Sequence, residues 1–204
     1  RPLQERSAAT LLDGVSRWHA IGVVDQVSEA ACGVVTARIR RRLLQLSRRH
    51  PRTLFLADSR ERIDRFAGLP IKPNQHEAAA ALGTRPARSI AAAVGQARRL
   101  SGRAGRPVFL TLSARGMIVC VDGEAQHVPG FPITDRPTDA VGAGDSTTAA
   151  LICCLAATAT PVEAALVANL VGSVTVQQIG TTGTATPTQV RRRWKEVAHG
   201  VSPS

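Results

Sequence analysis

Short apolar runs ending in a polar residue alternate with Ala- and Leu-rich runs of helical period along most of this 204-residue chain. That alternation restricts the fold to an α/β class with a mostly parallel sheet covered on both faces. Ile21–Asp25 is a strand candidate. Over 34–49 the apolar residues Val35, Ile39, Leu43 and Leu46 recur at helical spacing, and Pro51 follows. Thr53–Ala57 predicts a second strand ending at Asp58, and Leu69–Ile71 a third short one running into Lys72-Pro73-Asn74. Helices are expected over Gln75–Leu82, stopped by Gly83, and over Ser89–Leu100, ending near Gly102. Strands are expected at Val108–Leu112 and Met117–Val121. Asp122-Gly123 then marks a tight hairpin into Ala125–Val128. The remaining helices are Gly142–Leu155, Pro161–Val176 and Thr188–Ala198. Ligands in such folds bind at the carboxyl ends of strands, and the special residues below fall there.

Composition narrows the function. Apolar residues are 44% and charged residues 20% of the chain, which excludes wholesale disorder, and no apolar run is long enough to span a bilayer. The net charge is +11, and 24 of the 26 basic residues are Arg. Thirteen basic residues fall in 1–66 and thirteen in the rest, while aromatics are 3% and Tyr is absent. A nucleic-acid binder concentrates its charge and interleaves aromatics, so the Arg runs at 40–42, 48–49 and 191–193 are read as solvated helix faces, with no nucleic-acid and no membrane partner. Cys32, Cys120, Cys153 and Cys154 form no C-x-x-C pair, which argues against zinc. The adjacent pair is expected to be packed thiols in a helix, in a reducing, cytoplasmic setting.

The most specific segment is Asp139-Ala140-Val141-Gly142-Ala143-Gly144-Asp145. Small residues lead directly into a helix, so the N–H groups of Gly142, Ala143 and Gly144 can form an anion-binding nest backed by the helix dipole. Asp145, in the first turn, can accept a proton from a hydroxyl beside that nest. On the loop alone, a second reading stands equally: the glycines make a tight turn and Asp145 caps a helix. The absence of G-x-x-x-x-G-K-[ST] argues against a P-loop NTPase.

The 139–145 segment resembles the signature of the PfkB-type sugar kinases, the ribokinase family. Asn74-Gln75-His76-Glu77, after Lys72-Pro73, resembles the family's N-x-x-E motif, and Thr111–Gly116 its T-x-G-x-x-G nucleotide loop. Ala168-Asn169, with Gly180-Thr181 beyond it, resembles the adenine-side helix and loop. The resemblance covers about residues 20–198 in the family's order. It implies a ribokinase-like three-layer α/β/α sandwich, here truncated at the N-terminus: a single domain over 1–204 lacking the sugar-binding and lid portion. It implies ATP-dependent phosphoryl transfer to a sugar or sugar phosphate hydroxyl, Asp145 acting as general base and Gly142, Ala143 and Gly144 as anion hole. It places the nucleotide on Asn74, Thr111, Ser113, Gly116 and Asn169, and Mg2+ on Asn74 and Glu77, largely through water. In some members Asp139, Val141, Thr175, Gln178 and Gly180 would surround a monovalent cation such as K+. His76 matches no family role. A homodimer is implied for the full-length form.

Departures shape the expectations. Ser113 stands where the family often has Gly, and Ala140 where Thr is commoner. Family members have about a hundred more residues at the N-terminus. Without a lid, the alternative reading is a catalytically impaired nucleotide-binding remnant or pseudokinase, because water exclusion and sugar positioning would be lost. Asp25, at a strand end, is a candidate for one surviving substrate contact. Gln178–Thr181 with Thr186–Thr188, and the Thr111–Met117 stretch ending in Gly116-Met117, look most like the heptose-phosphate kinase domain of ADP-heptose synthases, with ribokinase-, fructokinase- and adenosine-kinase-like substrates left open.

Overall fold

The computed structural model describes residues 2–29 and 32–198. They fall into two compact units, residues 2–111 with 118–127, and residues 112–117 with 128–198.

The first unit is built on a sheet. β1 (Ala20–Asp25) pairs in parallel with β2 (Leu54–Ser59), Asp25 lying opposite Ser59. The expected third strand is reduced to one residue. Ile71 bridges Ala57 on one side and Val108 on the other, both in parallel. Pro70 and Pro73 flank it, and a proline cannot donate to a ladder. That single residue still joins β2 to β3 (Val108–Thr111). β3, β4 (Met117–Val121) and β5 (Glu124–Val128) follow in that order. The links from β3 to β4 and from β4 to β5 are too short for parallel crossovers, so this end of the sheet is antiparallel. Asp122 and Gly123 both have positive φ, 50° and 85°, as a two-residue hairpin turn requires.

Four helices accompany this sheet. α1 (Pro2–Asp13), which the sequence reading did not anticipate, packs on α2 (Ala37–Arg49). Thr36 caps α2, its Oγ1 accepting from Ile39 N at 3.3 Å. Ile39, Leu43 and Leu46 are buried as their spacing predicts, whereas Val35 lies ahead of the helix. α3 (Gln75–Leu82) ends at Gly83 as expected. α4 (Ile90–Ala104) runs through Gly102 instead of stopping there, and ends at left-handed Gly105. Leu100, Ser101 and Ala104 are all buried on it. That burial outweighs the roughly 1 kcal/mol cost of a mid-helix glycine.

The second unit holds α5 (Ala143–Ala156), α6 (Pro161–Thr175) and α7 (Pro187–Val197). α5 packs on α6, and α6 on α7. Thr147, Thr148 and Leu151 are the buried residues of α5. The cysteine expectation fails for Cys153, which is exposed, while Cys154 is half-buried. Among the described residues no helix is long and apolar enough to cross a membrane.

Candidate active site

In the first unit, the carboxyl ends of β1, β2, the Ile71 bridge and β3 share one sheet edge, because all four run in parallel. Asn74 and Thr111 meet there. They form a parallel bridge, and Thr111 N–H donates to Pro73 O at 2.9 Å. The first residues of the two sequence motifs are therefore adjacent in space.

Asn74 and Glu77 are locked to each other. Asn74 Oδ1 accepts from His76 N at 2.8 Å and Glu77 N at 3.0 Å, while Glu77 Oε2 accepts from Asn74 N at 2.7 Å. This reciprocal capping box starts α3. Asn74 Oδ1 is thereby engaged, whereas Glu77 Oε1 has no partner among the described residues. Burial pushes the Glu77 carboxyl above its usual range, opposed by the hydrogen bond from Asn74. An oxygen donor half out of water suits a hard, well-hydrated cation held through water, so Glu77 fits Mg2+, with Asn74 fixing its rotamer. His76 is exposed.

Two buried carboxylates stand at the carboxyl ends of β1 and β2. Asp58 pairs with Lys72 Nζ at 3.0 Å, with both side chains under 10% exposed. Asp25, expected as a substrate contact, accepts from Ser59 Oγ at 2.8 Å and from Arg62 Nε and Nη2 at 3.2 Å each. Its carboxylate is 2% exposed and is committed to the protein.

In the second unit, Gly142 takes the left-handed conformation (φ 76°, ψ −9°) and opens α5. Ala143, expected to join the nest, has its N–H donating to Ala140 O at 3.2 Å. Among the described residues, the N–H groups of Gly144 and Asp145 have no acceptor. The Asp145 carboxylate is exposed, makes no cap bond and has no partner among the described residues. The capping reading of Asp145 therefore has no bond to support it.

Asp139 clips this loop to the one after α6. Its Oδ1 accepts from Val141 N at 2.9 Å and its Oδ2 from Gly180 N at 3.1 Å. These two bonds hold its carboxyl below the usual carboxylate range. Gln178 is tied to Thr184 through both ends of its amide, Nε2 donating to O at 2.6 Å and Oε1 accepting from N at 3.2 Å. Thr175 is buried and donates to Gly172 O. Val141 is 65% exposed. Ser146 Oγ donates to Gly183 O at 2.9 Å, so α5 and the 180–184 segment support each other.

Ser113 is exposed with φ 56°. Gly116 (φ 92°) lies flat on the chain after β5, where a Cβ would come 2.2 Å from Val128 O. Gly130 faces it, and a Cβ there would come 2.5 Å from Ala114 O. Asn169 Nδ2 donates to Val128 O and Pro129 O, both at 3.0 Å. The Asn169 amide thus pins the segment on which the 113–116 turn rests. Sequence reasoning passed over Gly130, and its signal was a Pro-Gly pair directly after a predicted strand.

The sequence matches the description of a pfkB family carbohydrate kinase over residues 23–189. It is 32% identical over 195 residues to the bifunctional protein HldE of Bradyrhizobium sp. strain ORS 278, covering 94% of this chain and 38% of that protein. It is 32% identical over 178 residues to the bifunctional protein HldE of Caulobacter sp. strain K31, covering 83% and 36%. The chain thus spans less than two fifths of the length of these relatives. The fold is that of Escherichia coli phosphofructokinase-2, crystallised in complex with potassium (TM-score 0.76, 18% identity, 94% of this chain and 62% of that one). It is equally that of Arabidopsis thaliana ribokinase, crystallised with ribose and ATP (TM-score 0.76, 15% identity, 91% and 59%). With the family match running through both units and the ribokinase-like fold common to them, this chain belongs to the pfkB family of carbohydrate kinases.

Proposed function

We propose that this chain transfers the γ-phosphoryl group of ATP to a hydroxyl of a sugar or sugar phosphate, with Asp145 as the general base. The observation that carries the reading is the exposed Asp145 carboxylate in the first turn of α5, which has no hydrogen-bond partner among the described residues and stands beside two backbone N–H groups without acceptors among them. A carboxylate with no hydrogen bond to break is ready to take a proton. The amides of Gly144 and Asp145, at the positive end of the helix dipole, suit the charge that develops on a phosphoryl group in flight.

In the step itself the acceptor oxygen forms a bond to the γ-phosphorus as the bond to the β-phosphate oxygen breaks. The hydroxyl proton passes to an Asp145 oxygen, and ADP leaves with the bonding electrons. Bound Mg2+ would neutralise the phosphate oxygens, and Glu77 is the residue here suited to hold it through water. Thr111, Ser113 and Gly116 shape the turn assigned to the nucleotide. Asn169 acts on that turn through its bonds to Val128 and Pro129. Asp139 and Gly180 are assigned to keeping the 139–142 loop in place, with or without a monovalent cation. The acceptor is of the heptose-phosphate type, in line with the 178–188 segment and the HldE relatives.

Replacing Asp145 by Asn keeps the side-chain size and removes the proton acceptor. Turnover in an ADP-release assay should fall by about 10²–10⁴, while ATP affinity by calorimetry stays within about twofold. Near-wild-type turnover in Asp145→Asn would eliminate Asp145 as base.

A further inference from the structure

The Arg62 guanidinium joins two chain segments at the carboxyl edge of the sheet. Its Nε and Nη2 grip both oxygens of buried Asp25, at 3.2 Å each. Its Nη1 donates to Ser28 O at 2.8 Å and its Nη2 also to Val27 O. The side chain is 17% exposed. Ser59 supports both partners, its Oγ donating to Asp25 Oδ2 at 2.8 Å and accepting from Arg62 N at 3.1 Å. A planar fork of this kind fixes direction as well as distance, which an ammonium cannot do. The segment leaving β1 is thereby held in one conformation over 26–29, with Gln26, Ser28 and Glu29 exposed.

That segment lies on the edge that carries Asn74 and Thr111, displaced along the strand order. Adjacent strands lie about 4.8 Å apart, so β1 stands about 10 Å from the Ile71 line and about 14 Å from β3. With a phosphate held near Asn74, as the kinase reading has it, the end of β1 would be the side of the edge left for the acceptor. We propose that Arg62 is a positioning residue for the phosphoryl acceptor: through Asp25 and the carbonyls of Val27 and Ser28 it presents residues 26–29 as the acceptor side of the site. This rests on the kinase reading above and extends it to a residue outside the family motifs.

The test uses the whole chain in three forms: wild type, Arg62→Lys, and the double variant Asp25→Asn with Arg62→Gln, which removes both buried charges together and so avoids a lone buried carboxylate. Hydrogen exchange of the peptide covering 24–29 should quicken at least tenfold in both variants while circular dichroism is unchanged. With sedoheptulose 7-phosphate and fructose 6-phosphate as acceptors, the acceptor KM should rise at least tenfold and the ATP KM less than twofold. Unchanged exchange at 24–29, or acceptor and ATP KM rising together, would overturn the proposal. If the wild type transfers phosphate to neither acceptor, the inference is judged by binding alone. Sedoheptulose 7-phosphate at millimolar concentration should slow exchange at 24–29 in the wild type and not in the double variant, and equal or absent protection in both would overturn it.

Discussion

Gly142 and Gly144 stand two residues apart at the start of α5 under opposite constraints. Gly142 needs its left-handed φ of 76°, and a Cβ there would come 2.5 Å from Thr182 Cγ2. Gly144 has nothing within 4 Å of an added Cβ. Inside a helix, alanine is favoured over glycine by about 1 kcal/mol. Gly144→Ala should therefore unfold at the same temperature or higher, yet lose phosphoryl transfer at least tenfold, because a helical Cβ tilts toward the helix N-terminus, the side to which first-turn amides point. Wild-type turnover in a stable Gly144→Ala protein would remove the nest from the mechanism. Ser113 offers a complementary case. In the sequence it looks like a loss of the flexibility that the family's glycine provides. In the structure it holds φ 56°, a conformation costing an L-residue about 1–2 kcal/mol. Ser113→Gly should accordingly leave melting temperature unchanged or raise it slightly, since the relief is offset by the greater entropy of the unfolded chain. A clear loss would mean that the Ser113 side chain supports the turn.

At the scale of elements, three helix starts carry a local mark that can be read in the sequence. α3, α6 and α7 each begin with a reciprocal capping box, at Asn74/Glu77, Thr160/Glu163 and Thr186/Gln189. Such boxes are local four-residue patterns, which is why the sequence marks them well. The end of α4 was missed because long-range burial of Ala104 outweighs the local signal of Gly102. Leu69–Ile71 was overread for a similar reason: an apolar run suggests a strand, but only Ile71 has both neighbours to bridge. Glu77 serves both the capping box and the site, and a variant separates the two roles. Gln can accept the Asn74 N–H bond as Glu does. Burial raises the folded-state pKa of Glu77, so its contribution to stability is present in acid, below the unfolded value, and is lost as pH rises through the folded pKa. Glu77→Gln removes that loss. At pH 7 its chemical-denaturation midpoint should equal or exceed that of the wild type, while the Mg2+ concentration for half-maximal turnover rises severalfold. An unchanged Mg2+ requirement would reduce Glu77 to a cap.

Over the whole molecule, charge behaves differently from fold. The α/β alternation was legible because each strand and helix declares its period. The ion pairs were not, since nothing in the sequence tells buried Lys72 and half-buried Arg62 from the many exposed arginines; their partners elsewhere in the chain, Asp58 and Asp25, decide it. The exposed pairs, such as Arg42–Asp13 and Arg136–Asp135, are worth little individually in water. The +11 excess is therefore balanced mainly by solvent ions. Self-repulsion of this kind opposes the compact state and is screened by salt: the Debye length falls from about 30 Å at 0.01 M to about 8 Å at 0.15 M. Raising NaCl over that range at pH 7 should raise the melting temperature by a few degrees, most of it below 0.1 M, where screening changes fastest. Lowering pH towards 4 adds positive charge as carboxylates protonate, so the same salt step should then have a larger effect. Because the basic residues are spread along the chain, binding to a mixed-sequence duplex DNA at 0.15 M NaCl should be weaker than micromolar. If salt lowers the melting temperature, specific ion pairs outweigh the net field. Submicromolar DNA binding with a steep salt slope would show that the arginine faces gather into one surface.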